Sequence, residues 1–153
     1  MNQQIDTSGA AAWGYIAAKN ASYLAVANYH DDISHEIKSS IYRFDVSSKQ
    51  FSLFQQLDTN GASGMTFFKI GSAVYLAVAN LRNDSSQNTR SPIYHFDESQ
   101  GQFVLFQQFN TNGARSWEHF VMNNTHYLAV ANWYNDSSYG IKSNIYRLNP
   151  ACW

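Results

Sequence analysis

Tyr23-Leu24-Ala25-Val26-Ala27-Asn28 decides the fold, because it is written three times. The same six residues return as Tyr75 to Asn80 and as Tyr127 to Asn132. Their starts, at 23, 75 and 127, keep a constant spacing of 52 residues with no insertion or deletion. A period of this size marks a repeat architecture with one supersecondary unit per copy. Such a unit cannot bury its apolar face alone and needs neighbours. The hexapeptide is short and almost continuously apolar, as a strand buried on both faces must be.

Working outward in the middle copy, Leu57-Asp58-Thr59-Asn60-Gly61-Ala62 is a turn-forming cluster. Met65 to Ile70 reads as a short strand, and Gly71-Ser72 as a turn. Val74 to Ala79 is the buried strand. A polar loop follows from Asn80 to Ser91. Pro92-Ile93-Tyr94-His95-Phe96 alternates as a third strand, Glu98 to Gly101 turns the chain, and Phe103 to Phe109 is the fourth. No segment holds a 3.6-residue apolar period over about ten residues, so essentially no helix is expected. Four short antiparallel strands per copy describe a propeller blade. They also describe one repeat of a β-trefoil, and periodicity alone leaves both open.

Length sets one domain, 1–153, in repeats of approximately 3–54, 55–106 and 107–153. The chain is 44% hydrophobic and 16% aromatic with a net charge of −1. It has no basic stripe, which argues against nucleic acid as a partner. No apolar run approaches the roughly 18 residues of a membrane span, so no membrane insertion is expected. Cys152 is the single cysteine, which excludes an intrachain disulfide. Met1-Asn2-Gln3-Gln4 lacks the basic and apolar regions of a signal peptide.

Phe51-Ser52-Leu53-Phe54-Gln55-Gln56, Thr59 to Ala62, Tyr75 to Asn80 and Ile93 to Phe96, with counterparts at Phe103 to Gln108, Thr111 to Ala114, Tyr127 to Asn132 and Ile145 to Leu148, resemble the EAR repeat, also called the epitempin or EPTP repeat. The resemblance covers nearly the whole chain. It implies a β-propeller of four-stranded blades and favours that fold over the trefoil. It further implies an extracellular interaction module. Family propellers carry seven blades on one chain, and this chain departs by having three.

The ends are out of phase with the repeat. Trp153 aligns with Gly101, so the third copy lacks its fourth strand. Gln3-Gln4-Ile5-Asp6-Thr7 aligns with Gln55 to Thr59, the end of such a strand. Propellers have typically about 4–8 blades. Two chains of three supply six, and closed symmetric dimers are the commonest oligomers. The expectation is therefore half of a six-bladed ring closed by homodimerisation, with Asn2 to Asp6 pairing to the partner strand that contains Tyr146.

Identity between copies singles out candidate residues. Gly9, Gly61 and Gly113 suit turns that need positive φ. Tyr42, Tyr94 and Tyr146 suit packing between blades, and Trp13, Met65 and Trp117 suit the core. The polar loop pattern reads in two ways. Asn28, Asn80 and Asn132, with Asp32, Asp84 and Asp136, either cap turns or face a ligand. Together with Tyr29 and Trp133 they would suit a polyhydroxylated ligand, since carboxylates and amides satisfy sugar hydroxyls and a ring covers the apolar sugar face. Leu81 replaces the aromatic in the second copy. The leading expectation is a lectin with repeated sites that bind glycans or glycoproteins. The alternative is a protein-binding module without sugar specificity. No enzymatic motif is present: the five histidines keep no common metal-ligand spacing, and neither a phosphate loop nor a nucleophile elbow occurs. The three aspartates could join carbonyls around Ca²⁺, but one carboxylate per copy without a dense acidic loop argues for no cofactor.

Overall fold

A computed structural model describes residues 3–18 and 21–149. Cys152 and the residue 2 end of the expected intermolecular pairing lie outside the described residues. Among the described residues all regular structure is β, in three antiparallel sheets. The first contains β1 (Ala10–Ala17), β2 (Ser22–Asn28), β3 (Lys38–Asp45) and β4 (Gln50–Asp58). The second contains β5 (Ala62–Ile70), β6 (Ala73–Asn80), β7 (Asn88–Asp97) and β8 (Gln102–Asn112). The third contains β9 (Ala114–Met122), β10 (Thr125–Asn132) and β11 (Asn144–Arg147).

Each sheet is a meander whose strands pair in sequence order. Every repeat thus closes its own hydrogen-bonded sheet, which makes it a propeller blade and sets the trefoil aside. No helix is long and apolar enough to cross a membrane among the described residues. The blades run from 10 to 58, from 62 to 112 and from 114 to 147. Gln55 to Leu57 therefore finish the first blade and do not open the second.

The third strand of the second blade is longer than its apolar pattern suggests. Asn88 to Ser91 pair with Asn112 to Phe109, which shortens the connecting loop. Polar residues enter the sheet here because their hydroxyls are satisfied inside it. The Thr89 hydroxyl donates to the Asn80 carbonyl at 3.0 Å, and the Ser91 and Thr111 hydroxyls meet at 2.8 Å. The first blade repeats this device with Ser39 and Thr59 at 2.9 Å.

The core lies between blades. One cluster joins Ala25, Ala27 and Ile41 of the first blade to Met65, Leu76 and Val78 of the second. Another joins Ala77 and Ile93 of the second blade to Trp117, Leu128 and Val130 of the third. Burying a branched or aromatic side chain in such a layer contributes roughly 1.5–3 kcal/mol. Met65 and Trp117 are buried as expected, but Trp13 is 48% exposed, because no blade packs on its side of the first sheet among the described residues. Side chains also reach from blade to blade near the axis. The Thr66 hydroxyl donates to the Trp117 carbonyl at 2.8 Å, and the Ser63 hydroxyl to the Ala114 carbonyl at 2.7 Å. At the rim the Gln55 side chain brackets Phe103, donating to its carbonyl at 2.7 Å and accepting from its N–H at 2.8 Å.

Candidate functional site

The repeated loops carry the polar candidates to one face, and most are held by the fold itself. Asn80 ends β6 and is buried. Its side-chain oxygen accepts from the Asn60 N–H at 3.1 Å, and its amide donates to the Arg90 carbonyl at 2.7 Å. Asn28 bonds in the same way to the Ser8 N–H and the Lys38 carbonyl, and Asn132 to the Asn112 N–H and the Lys142 carbonyl. The invariant asparagine ties three segments together. It also places a blade's second-to-third loop and the loop entering that blade at one end of the strands.

The aspartates act between blades. Asp84 of the second blade accepts from the Ser34 hydroxyl at 2.7 Å and the His35 N–H at 2.6 Å, both of the first blade. Asp136 of the third blade accepts from Ser86, from the Gln87 N–H at 2.8 Å and from the Asn88 amide at 2.9 Å, all of the second. These bonds hold both carboxyls below the usual carboxylate range, with the His35 N–H the largest cause for Asp84 and the Ser86 hydroxyl for Asp136. Their lone pairs thus face N–H and O–H donors. Among the described residues the Asp32 carboxylate has no such inter-blade bond. It lines an open hollow of about 590 Å³ with Gly9, Tyr29 and His35. Tyr29 stands edge-on to His35, with ring centroids 4.9 Å apart. Trp133 carries the Arg115 guanidinium 4.1 Å above its ring and packs against Tyr139. Leu81 is buried. Tyr29 and Asp32 thus line one hollow, while Asp84 and Asp136 are engaged by donors of the preceding blade. No group of three or more His, Cys, Asp or Glu side chains suited to a metal forms among the described residues.

A second repeated feature is a groove between the outer strand end of one blade and the outer strands of the next. In the second blade it encloses about 570 Å³, lined by Asp58 and Asn60 from the first blade side and by Arg90, Tyr94, Gln108 and Asn110 across it. In the first blade it encloses about 540 Å³, lined by Asp6 and Ser8 and by Lys38, Tyr42 and Gln56. Ten lining positions of the two grooves correspond at the 52-residue spacing, among them Asp6 and Asp58, Lys38 and Arg90, Tyr42 and Tyr94, and Gln56 and Gln108. The two grooves share a carboxylate, a cation, a tyrosine and a glutamine in the same places, with the invariant asparagine among the lining residues, and the first adds Asp31 and Glu36. Burial raises the Tyr94 hydroxyl pKa, and the Asp58 charge adds to it. Volumes of this size fall within the roughly 300–1,000 Å³ of ligand sites. As ligand candidates the sequence offered only Asn28 and Asn80 of this groove, with Tyr42 and Tyr94 read as packing. The signal was available in Lys38, Arg90 and Lys142, a cation kept in every copy, and in Gln4, Gln56 and Gln108.

A family model described as "EPTP domain" matches residues 1–45, 50–97 and 102–149. The human and mouse thrombospondin-type laminin G domain and EAR repeat-containing proteins are each 36% identical over 144 residues, 94% of this chain. The chain spans 22% of the length of these relatives. Among solved structures, a GH43_1 enzyme from Xanthomonas citri complexed with xylose aligns with a TM-score of 0.60 at 14% identity, covering 94% of this chain and 52% of that one. An exo-β-1,3-galactanase from Phanerochaete chrysosporium with β-1,3-galactotriose aligns with a TM-score of 0.55 at 11% identity, covering 77% and 28%. Both likenesses concern the fold alone.

Proposed function

The chain belongs to the EPTP domain family, a family of EAR repeats, and from that premise we propose that it is a carbohydrate-binding protein whose sites are the grooves between its blades. The observation that carries this reading is the repetition of one polar frame in two grooves of nearly equal size. Asp58 and Asp6 accept from sugar hydroxyls, Arg90 and Lys38 donate to them, and Gln108 and Gln56 do both. The tyrosines offer a ring face to the apolar side of a pyranose. The two sugar-complexed enzymes of similar fold lend only fold-level analogy.

The reading is one of binding without turnover. Glycoside hydrolysis uses a pair of carboxylates across the bond. Asp31 and Glu36 border the first groove, but Asn83 and Asn88 take their places in the second. Weak single sites on one rigid chain gain through effective concentration, which suits a protein that crosslinks glycan-bearing surfaces. A broad glycan array probed with the purified chain tests this, at protein concentrations suited to millimolar single-site affinity. Binding that free sugar reverses supports it. Silence across the array turns the reading to the family's alternative, a protein-binding module.

A further inference from the structure

We propose that the open edge of the third blade is the docking site for residues 3–9 of a second copy of this chain, so that two chains close a six-bladed ring. The first observation is Gln3. Its side chain donates to the Phe51 carbonyl at 2.5 Å and accepts from the Phe51 N–H at 2.8 Å, the same bracket that Gln55 places on Phe103. Gln55 does this from the outer strand of a preceding blade. Gln3 therefore stands where the outer strand of a blade before the first would stand. The blade it would complete needs three inner strands, and among the described residues the third sheet holds three, β9, β10 and β11, with no counterpart of β4 or β8.

The second observation is an unpaired core layer. Ile41 and Met65 share one inter-blade cluster, and Ile93 and Trp117 share the next. Ile145 and Trp13 are the remaining members of these two series, at opposite ends of the row of blades. Ile145 is 67% exposed where Ile41 and Ile93 are at 0%, and Trp13 is 48% exposed where Met65 and Trp117 are at 5% and 2%. Each is the other's missing counterpart.

The third is polar matching at a fixed register. Lys38 pairs with Asp58 across β3 and β4, and their side chains form an ion pair at 2.8 Å. Shifted by the repeat, this becomes Lys142 of one copy opposite Asp6 of the other. The Ser39–Thr59 hydroxyl pair becomes Ser143 opposite Thr7. Asp32 then receives the loop N–H at Tyr139, as Asp84 receives His35. In this arrangement the hollow beside Asp32 is filled by the partner's loop. If the groove reading holds, a third groove also forms, completed by the second copy's Asp6.

Light scattering on the purified 153-residue chain gives the mass directly. The expected value is twice the 17.4 kDa of one chain. Ile145→Asp changes a residue that is exposed in the single chain, so it is expected to leave a folded species of one-chain mass. Lys142→Asp and Asp6→Lys are each expected to weaken the dimer at least tenfold, and the two together to restore it. Sugar binding plays no part in this readout, so an inert glycan array leaves it untouched. A wild-type chain that stays at one-chain mass at tens of micromolar overturns the proposal. So does a three-chain mass, a dimer indifferent to Ile145→Asp, or a charge swap without rescue.

Discussion

Gly61 sits at φ 49°, and a Cβ built there lies 2.8 Å from the Arg82 carbonyl oxygen. Two separate penalties meet at that residue. Left-handed backbone costs an ordinary residue roughly 1–2 kcal/mol, and the clash with a backbone atom adds to it. Gly71, at φ 60°, has nothing within 4 Å and faces only the first penalty. Gly61→Ala is therefore expected to destabilise clearly more than Gly71→Ala, with Gly71→Ala near 1 kcal/mol by urea unfolding. Equal losses would mean that the close approach of the two loops gives way. Asp84 and Asp136 make a pH prediction at the same scale. Both have folded pKa values below the unfolded aspartate value of about 3.9. Such groups add stability above about pH 4 and lose it as pH falls through the folded pKa. Melting temperature should thus decline on acidification below about pH 4, and Asp84→Asn should make that decline shallower. Asp31, Asp45 and Asp97 are lowered by bonds within their own turns, so part of the slope remains. An acid limb unchanged in Asp84→Asn and Asp136→Asn would remove the aspartates from the inter-blade contact.

Between residues and elements stands Asn80, which joins β6 to the ends of its neighbours. It is 2% exposed, and both polar groups of its side chain are used. Asn80→Ala leaves the Asn60 N–H and the Arg90 carbonyl without these partners, at a cost of about 1–3 kcal/mol. Chemical denaturation of Asn80→Ala beside Asn132→Ala checks this, with the more exposed Asn132 expected to cost less. The sequence made the strands legible wherever the apolar pattern ran with them. Val74 to Ala79 could only be a buried strand, and β6 is that segment with one residue more at each end. Asn88 to Ser91 were not legible as strand, because their polar side chains enter the sheet through hydroxyl pairs that exist only after Thr111 arrives from β8. The aspartates were legible as important and not as to their bonds. Their position recurs in each copy, but the donors they serve come from the adjoining blade, which a one-dimensional pattern does not place. Tyr42 and Tyr94 show the opposite error of emphasis. Read as core for their invariance, they also wall the grooves.

At the scale of the whole molecule, repetition makes the groove reading separable from folding. Arg90 and Gln108 reach the second groove from exposed positions, as Lys38 and Gln56 reach the first. Removing Arg90 and Gln108 together takes away two hydrogen bonds to a sugar, each worth about 0.5–1.5 kcal/mol and more where charge assists. That is about tenfold or more in affinity at one groove, with the other untouched. Arg90→Ala/Gln108→Ala is thus expected to lower the number of sugars bound per chain in calorimetry by one, while the remaining sites keep their affinity. Lys38→Ala/Gln56→Ala should do the same through the first groove, at the added cost of its surface ion pair with Asp58, a loss of at most about 1 kcal/mol in stability. The quadruple variant should then crosslink glycan-coated beads far more weakly, through the third groove alone, while its melting temperature stays within a few degrees of the parent. A uniform drop in affinity at unchanged stoichiometry would place the sugar elsewhere, at a site the blades share.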